Sequence, residues 1–218
     1  MCGIYGNLSP DEFFRLYKLN KSRGSYSSGF LFASEGRYEM RKTVKDTKYF
    51  SYPFNEQYCL GHNRAPTTDE NGKGLSGCHP FTFGKAIAAH NGIISNTDYL
   101  ESEYKIKFDI DSQWIPFLYD YFKRGNNNPE NALRLALLEL DGTYGVWLYD
   151  IDEEIIFVSR SDNTIYWNDE KTSFTSISDD VHKNLMPQGA IYKKERDQSF
   201  IDINENERLN VRQKYYIF

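Results

Sequence analysis

The chain has 218 residues, a formal net charge of −5 and a pI near 5.5. Because domains usually contain roughly 100 to 200 residues, we interpret residues 1–218 as a single domain. Lysines and acidic residues are scattered without a basic stripe, which argues against nucleic acid as a ligand. The sequence has no run of about 18 apolar residues and no N-terminal signal peptide pattern, so it predicts a soluble, cytoplasmic protein that does not associate with a membrane.

Apolar runs bounded by turn residues predict several buried strands. The first covers Gly3 to Asn7. A helix to Leu19 follows, and its start at Ser9-Pro10-Asp11-Glu12 is typical of a capping box in which Glu12 reaches back to the chain before the helix. Further strands are predicted at 29–33, 58–62, 86–90, 146–149 and 155–158.

Two helices are predicted in the middle of the chain. The first runs from Ser112 to Arg124 with apolar residues at helical spacing, and the second from Pro129 to Leu140, before Asp141-Gly142. The polar tract 125–128 between them is too short to separate domains. Strand runs on both sides of a helical pair favour a layered fold of helices packed on sheets.

The three cysteines, Cys2, Cys59 and Cys78, cannot all pair within one chain, so we expect at least one free thiol in a reducing compartment. Cys2 is the most suggestive, because initiator methionine is generally removed when the next residue is small. The mature chain would then begin with a thiol, of pKa about 8.5, and an α-amine, of pKa about 8, that can accept its proton. Position alone equally suits a small buried hydrophobe.

Three other segments each have two readings. Arg64 ends a predicted strand among small residues, which suits a bidentate clamp for a carboxylate or an ordinary surface arginine. Asn91-Gly92 offers a side-chain amide and a backbone N–H for an oxyanion, although taken alone the pair favours a type I′ hairpin turn. Asp111 precedes a helix, where it could cap the helix or bind a substrate ammonium.

Taken in order, these segments resemble the class II glutamine amidotransferase domain, an N-terminal nucleophile (Ntn) hydrolase. The similarity continues through 141–145, 158–160, 165–167 and 186–189, and the last stretch is most similar to the glutaminase half of asparagine synthetases and amidophosphoribosyltransferases. The matching residues are Met1-Cys2-Gly3-Ile4, Arg23-Gly24 with Ser27-Ser28-Gly29, Gly61-His62-Asn63-Arg64, His90-Asn91-Gly92-Ile93 and Asp111-Ser112.

The resemblance implies an α+β fold, the four-layer αββα sandwich with two antiparallel sheets between helix layers and Cys2 at the start of a central strand. It implies that Cys2 is the nucleophile and that its α-amine is the general base. Asn91 and the Gly92 N–H would hold the oxyanion. The side-chain amide of L-glutamine would then be hydrolysed through a Cys2 thioester, releasing glutamate and ammonia without a cofactor or a metal.

The remaining implied roles concern substrate binding and support. Arg64 with Thr67 would bind the glutamine α-carboxylate, Asp111 would bind its α-ammonium, and Arg23 would support the strand that carries the nucleophile. Ser27 and Gln113 depart from the family, which commonly has Asp and Glu at these positions, and Ala65-Pro66 occupy a site that is often aromatic or polar.

No pyrophosphatase loop, Walker loop or synthase domain is recognisable in the sequence, so we expect a separate synthase or amination partner to handle the ammonia acceptor. Two alternative functions stay open: hydrolysis of another γ-glutamyl amide, and a catalytically degenerate glutamine-binding or scaffold module. A zinc site built from Cys59, His62, Cys78 and His79 is disfavoured, because adjacent residues of a strand point to opposite faces.

Overall fold

The computed structural model describes residues 2–7, 9–44, 52–53, 58–65, 74–195 and 199–210. Its helices are α1 (Pro10–Asn20), α2 (Thr97–Tyr104), α3 (Trp114–Arg124) and α4 (Pro129–Glu139), with 3₁₀ turns at Gly74–Gly77 and Asp111–Gln113. Its strands are β1 (Gly3–Asn7), β2 (Ser27–Ser34), β3 (Arg37–Thr43), β4 (Tyr58–Arg64), β5 (Phe81–Phe83), β6 (Ala86–Ile94), β7 (Gly142–Asp150), β8 (Ile155–Ser161), β9 (Tyr166–Trp167), β10 (Phe174–Thr175), β11 (Asn184–Leu185), β12 (Ile191–Glu195) and β13 (Ile201–Asp202). No helix in these ranges is both long enough and apolar enough to cross a membrane.

The strands form two antiparallel sheets. Sheet A has the order β11-β9-β10-β1-β4-β2-β3, and sheet B has the order β13-β12-β8-β7-β6-β5. The strand that follows Cys2, β1, lies at the centre of sheet A and pairs with β4 on one side and β10 on the other. The expected position of the Cys2 strand is therefore confirmed.

Successive side chains of each strand point to opposite faces of the sheet, and this alternation determines which layers pack together. In β2, Phe30 and Phe32 pack with Phe13 of α1 on the outer face of sheet A, whereas Leu31 faces the space between the sheets. In sheet B the same alternation sends Trp147 of β7 toward sheet A. The opposite faces of β6, β7 and β8 pack against α2, α3 and α4. The order of layers is thus α1, sheet A, sheet B and the other three helices, so the predicted four-layer α+β sandwich is confirmed.

The predicted strands are present, but the local signals at several ends were misleading. Asn91-Gly92 does not form a hairpin turn, because β6 continues through both residues to Ile94, paired with β7. Ser9 is the N-cap of α1 without a side-chain capping bond, and Glu12 pairs instead with Arg15 at 2.6 Å. The predicted helix at 112–124 begins as a 3₁₀ turn, and α3 itself starts at Trp114.

Candidate active site

Cys2 lies immediately before β1 and is partly buried. Its Sγ is 3.6 Å from the carbonyl oxygen of Ala65, the residue after β4. Burial raises the pKa of the Cys2 thiol above its usual value, while the Ala65 backbone and the charge of Arg64 act in the opposite direction. The Asp111 carboxylate adds to the rise. At neutral pH the thiol is therefore protonated, and nucleophilic attack would need a base.

The start of β1, the end of β4 and the end of β6 meet on one side of the sandwich. Within sheet A, β1 runs antiparallel to β4 with Gly3 opposite Asn63, which places Cys2 beside the end of β4. Between the sheets, His62 Nε2 lies 3.0 Å from the His90 carbonyl oxygen. One residue earlier, Trp147 Nε1 donates to the Gly61 carbonyl at 3.0 Å. Trp147 is paired with Ala89, the residue before His90, just as Gly61 is the residue before His62. The C-terminal ends of β4 and β6 therefore lie close together.

Arg23 holds the backbone of the candidate nucleophile. Its Nε donates to the Cys2 carbonyl oxygen at 2.9 Å, and its Nη1 lies 3.1 Å from the Ser176 carbonyl and 3.3 Å from Thr164 Oγ1. One guanidinium thus ties the start of β1 to the chain after β8 and to the end of β10. These contacts fix the backbone at the start of β1, and a supporting role for Arg23 in catalysis stays a prediction.

Arg64 is the last residue of β4 and is only 2% exposed. Its guanidinium carbon lies 5.9 Å from the centre of the Tyr26 ring, within the range of a cation–π contact. Ser27 is buried directly opposite Arg64 in the β2–β4 pairing. Thr67, predicted to act with Arg64, lies outside the described residues, as does Pro66.

Asn91 and Gly92 occupy the end of β6. Gly92 has φ of +150°, and a Cβ at this position would lie 1.9 Å from the Thr143 carbonyl oxygen of β7, so both the conformation and the close approach require glycine. The Asn91 side chain is buried, and its Nδ2 donates to Asn163 Oδ1 at 3.1 Å. In return, Asn163 Nδ2 donates to the Asn91 carbonyl at 2.7 Å.

Asp111 opens the 3₁₀ turn beside β6, and both of its carboxylate oxygens accept backbone hydrogen bonds. Oδ2 accepts from the Ile94 N–H at 2.9 Å, and Oδ1 accepts from the Ser112 N–H at 2.7 Å. Ser112 Oγ lies 3.1 Å from Asp111 Oδ1 and 2.9 Å from His90 Nδ1, which extends the network beneath Gly92. Gln113, where the family commonly has Glu, caps the turn by accepting from the Ile110 N–H at 3.1 Å.

Sequence reasoning missed three residues that support this arrangement, Asn163, Thr164 and Ser176, and it gave no role to His90 or Ser112, which appear in it only as parts of motifs. Asn163 reaches Asn91 across 72 positions of sequence, and its own surroundings, Ser-Asp-Asn-Thr, signal only a turn. His90 was noticed as the neighbour of Asn91, but no local pattern connects it to Ser112.

Two other clusters look catalytic and are structural. Ser173 Oγ, His182 and Asp179 form hydrogen bonds of 2.7 and 3.1 Å in the order of a Ser-His-Asp triad. Ser173 and His182 are 1% and 0% exposed, however, so a substrate cannot reach the hydroxyl. His62 and His79 are also buried and stack with ring centroids 3.9 Å apart. In the described ranges no group of three or more His, Cys, Asp or Glu side chains could hold a metal ion.

Two antiparallel sheets between helix layers are the architecture of the Ntn hydrolase fold. The B. subtilis glutamine phosphoribosylpyrophosphate amidotransferase, solved with ADP and GMP, superimposes with a TM-score of 0.73 at 15% identity. That superposition covers 92% of this chain and 48% of the other. No protein-family model matches the chain.

Curated relatives carry a more specific name. The glutamine–fructose-6-phosphate aminotransferase (isomerizing) of Pyrococcus horikoshii is 31% identical over an alignment of 188 positions, which covers 76% of this chain and 30% of the relative. The enzyme of the same name from Sulfurisphaera tokodaii is 29% identical over an alignment of 191 positions, which covers 76% of this chain and 31% of the relative. The chain thus spans less than a third of the length of these relatives. It belongs to the class II glutamine amidotransferases, as an Ntn-type domain.

Proposed function

We propose that this domain is a glutaminase that uses Cys2, as the first residue of the mature chain, to hydrolyse the side-chain amide of L-glutamine. The observation that carries the proposal is the meeting of four groups at one end of the sandwich: a thiol, the Asn91-Gly92 segment, a buried guanidinium and a carboxylate. Arg64 ends β4 next to Ala65, whose carbonyl oxygen contacts the Cys2 sulfur, and Asp111 is hydrogen-bonded to the end of β6 at Ile94.

The opposite charges of Arg64 and Asp111 suit the two ends of an α-amino acid. A guanidinium that is 2% exposed can pair with an α-carboxylate away from bulk water, where charge-assisted bidentate hydrogen bonds are strong. Asp111 is held by two backbone N–H groups and can accept further hydrogen bonds from an α-ammonium. Thr67, close to Arg64 in sequence, is proposed to contact the same carboxylate.

The reaction would proceed by acyl transfer to sulfur. The α-amine of Cys2 takes the thiol proton as the sulfur bonds to the amide carbon of glutamine. Asn91 Nδ2 and the Gly92 N–H donate to the oxygen, which becomes negatively charged. The carbon–nitrogen bond then breaks, and the ammonium of Cys2 returns its proton to the departing nitrogen, which leaves as ammonia. Water, deprotonated by the same amine, hydrolyses the thioester and releases glutamate.

We further propose that the ammonia is used by a separate synthase partner. The curated relatives are named glutamine–fructose-6-phosphate aminotransferases, a name that describes passing nitrogen from glutamine to an acceptor. Free ammonia is mostly protonated at neutral pH and then is no longer a nucleophile, which favours direct delivery to an acceptor. If the purified chain releases ammonia at full rate by itself and forms no complex, the partner proposal is wrong.

The glutaminase proposal is tested by measuring glutamate and ammonia release from glutamine, glutaramate and γ-glutamyl methylamide. Glutaramate lacks the α-ammonium and should be a poor substrate. The Cys2→Ala variant should be inactive, while Cys78→Ala, which removes a different, buried thiol, should retain activity. Preference for the methylamide would favour the alternative amidohydrolase. Glutamine binding without turnover would favour the degenerate binding module.

A further inference from the structure

Asn163 forms a reciprocal pair with Asn91. It follows β8, and its side chain both donates to the main chain of Asn91, at 2.7 Å, and accepts from the Asn91 side chain, at 3.1 Å. A third bond, from the Thr164 N–H to Asn163 Oδ1, measures 3.0 Å. Asn163 thus contacts both the backbone and the amide of the residue proposed to bind the oxyanion.

These bonds fix which end of the Asn163 amide is oxygen. A backbone N–H can only donate, so the atom that faces the Thr164 N–H must be Oδ1. A carbonyl oxygen can only accept, so the atom that faces the Asn91 carbonyl must be Nδ2. The two requirements agree, and a flipped Asn163 would place donor against donor and acceptor against acceptor.

The orientation of Asn91 follows from that of Asn163. Because Asn163 Oδ1 is an acceptor, the Asn91 amide must present Nδ2 to it rather than its own oxygen. Nδ2 carries two hydrogens, and only one is used in this bond. The other can be donated to an oxyanion. Without Asn163, the amide of Asn91 could rotate and present its oxygen to the developing negative charge.

Asn163 is itself held in place. Its carbonyl oxygen accepts from Arg160 Nη1 at 2.6 Å. Its neighbour Asp162 has a left-handed φ of +53°, forms an isolated parallel bridge with Tyr144 of β7, and donates its N–H to Gln188 Oε1 at 3.0 Å. The segment that carries Asn163 is therefore fixed to β7, the strand next to β6, and to β8, the strand beyond β7.

We propose that Asn163 is a positioning residue that locks the Asn91 amide with its N–H directed at the oxyanion. The inference rests on the proposed glutaminase function. Asn163 acts only through Asn91 and does not contact glutamine. Loss of Asn163 should therefore lower kcat and leave the KM for glutamine nearly unchanged.

The test is a double-mutant cycle on kcat with Asn163→Ala, Asn91→Ala and the double variant. Loss of an oxyanion donor typically lowers kcat about 100-fold or more, which sets the expectation for Asn91→Ala. Asn163→Ala should lower kcat about tenfold or more, and the double variant should match Asn91→Ala within about twofold, because Asn163 then has nothing to orient. Glutamate γ-semialdehyde, whose thiohemiacetal with Cys2 carries the oxyanion, should bind Asn163→Ala more weakly, while glutamate should bind equally well.

Asn168→Ala is the matched control. Asn168 Oδ1 also accepts hydrogen bonds from two backbone N–H groups, those of Thr172 and Ser173. These bonds lie in the β9–β10 turn, near the end of β1 that is opposite to Cys2. It should lower stability and leave kcat unchanged. If the wild type is active and Asn163→Ala keeps full kcat, the inference is wrong and the proposed function stands. The same holds if the losses of the two single variants multiply in the double variant. A wild type without glutaminase activity overturns both the inference and the proposed function.

Discussion

Replacing Gly92 with alanine tests whether the end of β6 has the geometry described above. The added Cβ would lie 1.9 Å from the Thr143 carbonyl oxygen, a backbone atom that can move only if β6 and β7 separate. Overpacking of this kind costs about 1–3 kcal/mol. A non-glycine residue held at such a φ costs about 1–3 kcal/mol more. The free energy of unfolding should therefore fall by about 2–6 kcal/mol, the sum of these two terms.

Gly36→Ala is the control for the backbone contribution alone. Gly36 also has positive φ, +65°, but nothing lies within 4 Å of a Cβ at this position. Its cost should be limited to about 1–2 kcal/mol. Urea unfolding followed by circular dichroism measures both losses, and glutamine turnover measures the effect on catalysis. Gly92→Ala should lower kcat about 100-fold or more because the Gly92 N–H is displaced. If Gly92→Ala costs no more stability than Gly36→Ala and keeps its kcat, the reasoning is refuted.

Three further predictions concern charge and pH. Asp111→Asn should raise the KM for glutamine about tenfold or more, because hydrogen bonds to charged groups contribute about 1.5–3 kcal/mol, and should reduce the preference for glutamine over glutaramate in parallel kinetics. In a pH–rate profile, kcat/KM should fall as pH drops below about 8, because a protonated α-amine cannot accept the thiol proton; a flat profile would contradict the base. Burial raises the pKa of Asp179, but hydrogen bonds from the His182 N–H and Arg15 outweigh it and lower the pKa to about 2. This depressed pKa stabilises the fold above about pH 4, and the contribution is lost as pH falls toward 2. Asp179→Asn should remove that dependence in acid unfolding; an unchanged acid profile would contradict it.

The strands could be predicted where their residues alternate between two apolar environments. β2, β6, β7 and β8 each face a core on both sides, so their sequences are strongly apolar. β3 was missed because it is the edge strand of sheet A and is largely polar and partly exposed. The helix α2 was missed for a similar reason, since Leu100 is its only buried residue.

The site could be predicted only as far as short motifs reach. Cys2, Arg64, Asn91 and Asp111 could be proposed as site residues because each belongs to a run of neighbouring residues. The local signal at Asn91-Gly92 favours a hairpin, and pairing with β7 overrides it. Asn163 could not be found, because its contact with Asn91 depends on how β8 is placed beside β7 and β6. A long-range hydrogen bond between two amides leaves no spacing pattern in one sequence.

The central claim is that Cys2 is a free N-terminal nucleophile, and intact mass spectrometry tests it most directly. The purified chain would be weighed before and after incubation with a diazoketone analogue of glutamine, with Cys2→Ala as the matched control and excess glutamine as competitor. We predict a mass that lacks Met1 and gains one adduct, which disappears in Cys2→Ala and is slowed by glutamine. Retained Met1 without an adduct, or equal labelling of Cys2→Ala, would contradict the account.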